Sequence, residues 1–175
     1  MAIERSRRPV AAARVAATAR SLLGGSTLCA IATVAPGGQA HVNTAYFAWS
    51  NELELVWLSE PRARHSRNIR ANGSVAVAVY DSGQIWGRPD RGIQLFGTAR
   101  EVARTAAGDA ERLYAARFPD YRPPDLDAYR FYLFRPRRLK VFDERELGTG
   151  VFVTARRGGD HRLVWERTEI YRPNA

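Results

Sequence analysis

The stretch "SEPRARHSRNIRANG", residues 59–73, holds the densest chemistry in the chain: Arg62, Arg64, His65 and Arg67, with Ser59 and Ser66 beside them. The guanidinium fork suits phosphate or carboxylate, and imidazole adds a donor whose charge changes near neutrality. The two hydroxyls add neutral donors. Together these groups support the binding of an anion, a phosphate above all. A solvated basic connector explains the same residues, and spacing alone leaves the two readings balanced.

The segment lies between two apolar runs, "LELVWL" and "SVAVAVY". Pro61 suits the first turn of a helix and Asn72-Gly73 its end, so residues 61–73 predict a short helix between two strands. Its first turn would present free backbone N–H groups and the positive end of the helix dipole to an anion.

Around it, "VAAARVAATARSLL" predicts a helix over residues 10–23 that stops at Gly24-Gly25. "TLCAIATVA", "AHVNTAYFAW" and "LELVWL", separated by short turn signals, predict an antiparallel meander. "SVAVAVY" and "IQLFGTAREV" read as further strands, with Gly97 at an irregularity. Residues 106–117 predict a helix that ends before Pro119. "YRFYLFRP" and "RLKVFD" read as two strands, and the tail as a hairpin around Gly158-Gly159. Many strands with few helices indicate an α+β domain built on a closed or partly open antiparallel barrel. The expected organisation is a helical arm over 1–25, a barrel over 26–145 and a C-terminal extension over 146–175.

The chain has 175 residues and a net charge of +9, and Lys140 is its only lysine. The arginines are scattered and form no single basic stripe interleaved with aromatics, which speaks against a nucleic-acid module. Cys29 is the only cysteine and lies in an apolar run, so no internal disulfide or cysteine-based zinc site is expected and the thiol reads as inert. Arg14 and Arg20 interrupt what would be the apolar part of an export signal. No run is long enough to span a membrane, and the expected location is cytoplasmic.

"TLCAIATVAPGGQAHVNTAYFAW", "LSEPRARHSRNI" followed by "SVAVAVY", and "RGIQLFGTAREV" together resemble the FMN-binding split-barrel proteins related to pyridoxamine 5′-phosphate oxidase. The resemblance implies a mainly antiparallel six- to seven-stranded split β-barrel with flanking helices. It also implies FMN as cofactor, a homodimer and oxidoreductase activity on a small molecule. By that resemblance Arg64 and His65 would hold the FMN phosphate, with Ser59 and Ser66 as further donors. His65 stands where the family usually has lysine. Backbone groups of Val42, Asn43, Thr44 and Ala45 would face the flavin ring, with Asn43 and Thr44 as donors or acceptors to its pyrimidine edge, and Trp86 and Gln94 would approach the cofactor, commonly across a dimer interface.

No catalytic acid or base and no metal ligands stand out; His41 and His65 read as cofactor or packing residues. The substrate-holding Arg-Leu-His signature of the oxidase proper is reduced here to Arg162-Leu163, with Val164 in place of the histidine, which argues against vitamin B6 chemistry. Two alternatives stay open on the same fold. The deazaflavin F420 has carboxylates that "ERSRRP" could meet. A haem protein would need a ligand, for which His161 is the candidate.

Overall fold

The computed structural model describes residues 2–122, 128–160 and 162–172. In chain order these form β1 (Ala2–Ser6), α1 (Ala12–Gly24), β2 (Leu28–Val34), β3 (Ala40–Trp49), β4 (Leu55–Ser59), α2 (Arg64–Ala71), β5 (Ser74–Tyr80) and β6 (Arg91–Glu101). A short 3-10 turn (Arg104–Ala106), α3 (Gly108–Arg117), β7 (Arg130–Asp143), α4 (Glu144–Leu147), β8 (Val151–Arg157) and β9 (Leu163–Arg172) follow. The strands hydrogen-bond in the order β1-β9-β8-β7-β4-β3-β2-β5-β6, and β6 also pairs with β7. That last pairing closes a ladder of β7, β4, β3, β2, β5 and β6, while β8, β9 and β1 extend it. The fold is the α+β split barrel that the sequence led us to expect. No helix among the described residues is long and apolar enough to cross a membrane.

The chain divides into two compact units. One comprises the residues up to Ser26, Ala78–Leu95 and those from Arg137 onward. In it, α1 buries Val15, Thr18, Ala19, Leu22 and Leu23, the 3–4 spacing of one helical face. Gly25 closes the helix by donating its N–H to Ser21 O and Leu22 O. β8 and β9 form an antiparallel hairpin, and β1 adds to its edge with Ile3 opposite Tyr171. Within the helical arm expected over residues 1–25, Ala2–Ser6 form an edge strand instead. "AIERS" is short and largely exposed, so it carries no alternating apolar signal of its own.

The second unit comprises Thr27–Val77 and Phe96–Pro136. β2, β3 and β4 form the expected meander, and β4 then pairs with β7. Trp57 and Tyr132, register partners on β4 and β7, stack with ring centroids 5.9 Å apart, and both are fully buried. Full burial of side chains this large contributes about 1.5–3 kcal/mol each. α3 is held down by Arg117, whose guanidinium lies 4.4 Å from the Phe47 ring and 4.2 Å from the Trp49 ring. It also donates to Phe47 O at 2.6 Å. Burial pushes this group down to about 10, so it remains a cation at neutral pH.

Residues 130–143 form one strand rather than the two that Pro136 suggested. Gly97 faces this stretch: a Cβ there would sit 2.0 Å from Arg135 O and 2.8 Å from the Pro136 Cα. The glycine is there for close backbone approach.

Candidate functional site

β3 and β4 pair only at Phe47–Trp49 with Trp57–Leu55. Both strands continue past that point: β3 stays paired with β2 along Ala40–Tyr46, and β4 stays paired with β7 as far as Ser59. The two strands therefore part. Along residues 40–46, the backbone groups of β3 that point away from β2 have no strand partner among the described residues. Unpaired backbone donors and acceptors in a fold call for another partner.

α2 stands at this opening. It starts later than Pro61 suggested: Ala63 is the N-cap, and residues 61–63 form a turn in which Ala63 N–H donates to Glu60 O. Ala63 has no side-chain acceptor, so no side chain caps the first turn. The inward face carries Ser66, Asn68 and Ile69, all buried. Asn68 Nδ2 donates to Thr33 Oγ1 of β2 at 3.0 Å, a buried polar pair that fixes the helix on the sheet. On the outward side, Arg70 bonds Glu101 at 2.9 Å and Pro61 O at 2.7 Å.

This docking sets the anion-binding candidates. His65 is half-buried, and its Nε2 lies 2.7 Å from Ser59 Oγ. His41 of β3 presents a ring almost parallel to that of His65, at 4°, with centroids 6.5 Å apart. Burial, and then the neighbouring His41, hold the His65 imidazole below its ordinary value. Arg64 is exposed and makes no hydrogen bond or ion pair with any described residue. Arg67, by contrast, bonds Arg62 O at 2.9 Å and braces the turn. Ser59, His65 and His41 thus meet at one corner, and Arg64 precedes His65 at the start of α2. Two imidazoles and a hydroxyl, beside an exposed guanidinium on the same helix, are groups that can bind an anion.

Ser66 has a different role from the one expected. It is fully buried and its hydroxyl donates to Glu60 O at 2.8 Å, so it holds the turn before α2. The side chains of the expected ring-facing residues point to two faces of the strand. Strand side chains alternate, so Asn43 and Ala45 are half-buried while Val42 and Thr44 are exposed on the opposite face. Asn43 and Thr44 side chains cannot both meet one ring edge. Asn43 carries the stronger signal, because its Oδ1 is buried without a hydrogen-bond partner.

Cys29, register partner of Ala45, is buried, and burial pushes its thiol up to about 12, which keeps it protonated and inert. Trp86 and Gln94 belong to the first unit, Trp86 on the β5–β6 loop and Gln94 on β6, and both are exposed. Trp86 is 97% exposed. Phe47, next to Tyr46 on β3, is buried in the barrel wall. The pairing of His41 with His65 was not drawn from the sequence. Its one trace is that His41 shares the strand face of Asn43 and Ala45.

The "ERSRRP" segment is in part strand β1, where Glu4 bonds Arg172 at 2.9 Å. His161, the candidate haem ligand, lies outside the described residues. Arg162 is exposed, 3.7 Å from Asp160, and Val164 is exposed as well.

Residues 15–142 match the pyridoxamine 5′-phosphate oxidase family profile, which is more than half of the chain. No curated protein matches. Among solved structures, a pyridoxamine 5′-phosphate oxidase-related, FMN-binding protein from Nostoc punctiforme aligns with TM-score 0.63 at 14% identity, over 89% of this chain and 93% of that one. A haem-binding protein from Mycobacterium smegmatis aligns with TM-score 0.63 at 17% identity, over 86% and 60%. An F420 reductase aligns with TM-score 0.55 at 26% identity, over 69% and 94%. The chain spans only 55–60% of the length of some structures that it matches. On the family profile and the shared barrel, the chain belongs to the FMN-binding split-barrel family related to pyridoxamine 5′-phosphate oxidase.

Proposed function

We propose that the protein is an FMN-dependent oxidoreductase acting on a small molecule. The observation that carries this reading is the parting of β3 from β4, with Arg64, His65 and Ser59 at its end and unpaired β3 backbone along its side. Arg64, His65 and Ser59 would hold the phosphate, and the β3 backbone with Asn43 would meet the polar edge of the ring. The flavin supplies hydride exchange, and the protein supplies binding, orientation and the polarity around it. Purification followed by an absorption spectrum and mass identification of the released cofactor tests this. FMN is the expected result. Haem would overturn the reading, and F420 would move the protein to the runner-up, which the F420 reductase alignment supports.

The working unit in this proposal is a homodimer. Leu28 and Tyr46 are register partners on one face of the β2–β3 ladder, and they are 42% and 57% exposed; Val42, on the same face, is 62% exposed. Such an apolar patch is unusual on a monomer, and a tryptophan as bare as Trp86 is more so. Trp86 and Gln94 are then assigned to a partner's cofactor. Sedimentation should give a dimer at micromolar concentration. A stable monomer there would remove the partner from the proposal.

A further inference from the structure

The second unit contains a groove of about 430 Å³ that shares no residue with the corner described above. Its apolar surface comes from Val56 on β4, Leu133 on β7, Val102 just past β6, and Leu113 on α3. The volume lies within the range of small-molecule sites, roughly 300–1,000 Å³. Charged groups line its rim, and most are matched. Arg135 bonds Glu54 at 2.8 Å, and Asp109 is paired with Arg112. Arg100 is the exception: it lines the groove, is exposed, and has no hydrogen bond or ion pair with any described residue.

We propose that this groove binds a small amphipathic carboxylate, with its hydrocarbon body on Val56, Val102, Leu113 and Leu133 and its anionic head on Arg100. The head class follows from the rim. A cationic amphiphile would meet an unmatched guanidinium, whereas Glu54 and Asp109 already have cations beside them. A carboxylate would find the one rim cation without a counter-charge among the described residues, in the fork geometry that suits it. The body class follows from the floor, which offers apolar contact to an alkyl or aromatic group and no ring of polar groups for a sugar or peptide. The proposal does not rest on the flavin reading, because the residues are different.

The test is calorimetric titration of the purified full-length protein with hexanoate, octanoate and decanoate, and with octanol and octylamine. Each added methylene should tighten carboxylate binding about fourfold until the groove is full. Octanoate should bind about tenfold more tightly than octanol, and octylamine least of all. Arg100→Gln should bring octanoate down to the octanol level while leaving the chain-length dependence intact. Ala106→Trp, a change at an exposed position that lines the groove, should block all three carboxylates. Arg20→Gln on α1 serves as the surface-charge control and should change nothing. Equal binding of octanol and octanoate, a flat chain-length series, or full binding by the Ala106→Trp protein would overturn the proposal. So would an equal loss on Arg20→Gln, because the site would then be only part of the diffuse field of a chain with net charge +9.

Discussion

Arg91 in the first unit and Arg64 in the second have opposite surroundings. Arg91 donates through Nε and Nη2 to Asp143 Oδ2, at 3.1 and 2.8 Å, and reaches Ser21 Oγ at 3.3 Å. Asp143 is wholly buried, and its other oxygen accepts from Arg145 N–H at 3.2 Å, capping α4. Arg64 stands at the start of a helix without a side-chain cap and has no partner among the described residues. The difference separates an arginine that closes a fold from one that can close on a ligand. Both present the same guanidinium, so residue type alone does not tell them apart; the matching of their donors does.

The largest effect should follow from breaking the closed pair. Arg91→Gln leaves the buried Asp143 carboxylate without its cation. The cost of an unpaired buried charge is about 3–5 kcal/mol; because the Arg91 side chain is 30% exposed, we expect about 3 kcal/mol. For a chain of this size that lowers Tm by roughly 6–12 °C. Thermal unfolding checks it, and a change under 2 °C would mean that solvent already satisfies Asp143.

Next in size is the open arginine. Arg64→Ala should leave Tm nearly unchanged and weaken FMN binding about ten- to a hundredfold, the scale of one charge-assisted contact. Arg100→Ala and Arg104→Ala should leave FMN affinity within about twofold. Riboflavin, which has the ring without the phosphate, should bind much more weakly than FMN to the unaltered protein and lose little more on Arg64→Ala. Equal losses for all three arginine variants would erase the contrast with Arg91, since Arg64 would then be one cation among many.

The same contrast marks what a sequence can disclose. The barrel strands were legible because "TLCAIATVA" and "SVAVAVY" carry their pattern locally. The basic segment was legible as chemistry because its residue types are unusual between two strands. Strand β1 was not legible, because five mostly exposed residues become a strand only through the edge of β9. The single strand through Pro136 was not legible either, since it depends on Gly97, which lies far away in sequence. In the site, residue type misled at Ser66: the hydroxyl is of the right kind, but helix phase turns it inward to Glu60. His41 was underweighted because its meaning depends on a helix docked through Asn68 and Thr33, a contact between distant segments.

The smallest effect, and the finest test of the open corner, is its response to pH. His65 is held below its ordinary value of about 6.5, first by burial and then by His41, so it is neutral in the unliganded protein near pH 7. The groups that meet it are His41 from β3 and Ser59 from β4, and Arg64 precedes it on its own helix. A phosphate dianion favours the imidazolium form. FMN binding should therefore take up a proton, and affinity should rise as pH falls from 8 towards 6, by less than about tenfold per unit. Near pH 6 the phosphate takes up its own proton and the rise should level off. Stability of the unliganded protein should run the other way. A histidine with a lowered folded value binds fewer protons folded than unfolded, so its contribution is full above about 6.5 and is lost as pH falls further. His65→Lys keeps a permanent cation across this range and should flatten both trends. His41→Gln should move the affinity change to higher pH, because the repulsive neighbour is gone. Calorimetry in two buffers of different ionisation heat measures the proton count directly. Binding with no proton uptake at pH 7.5, or an unchanged slope in His65→Lys, would leave Arg64 as the sole phosphate cation and return His65 to the packing of α2.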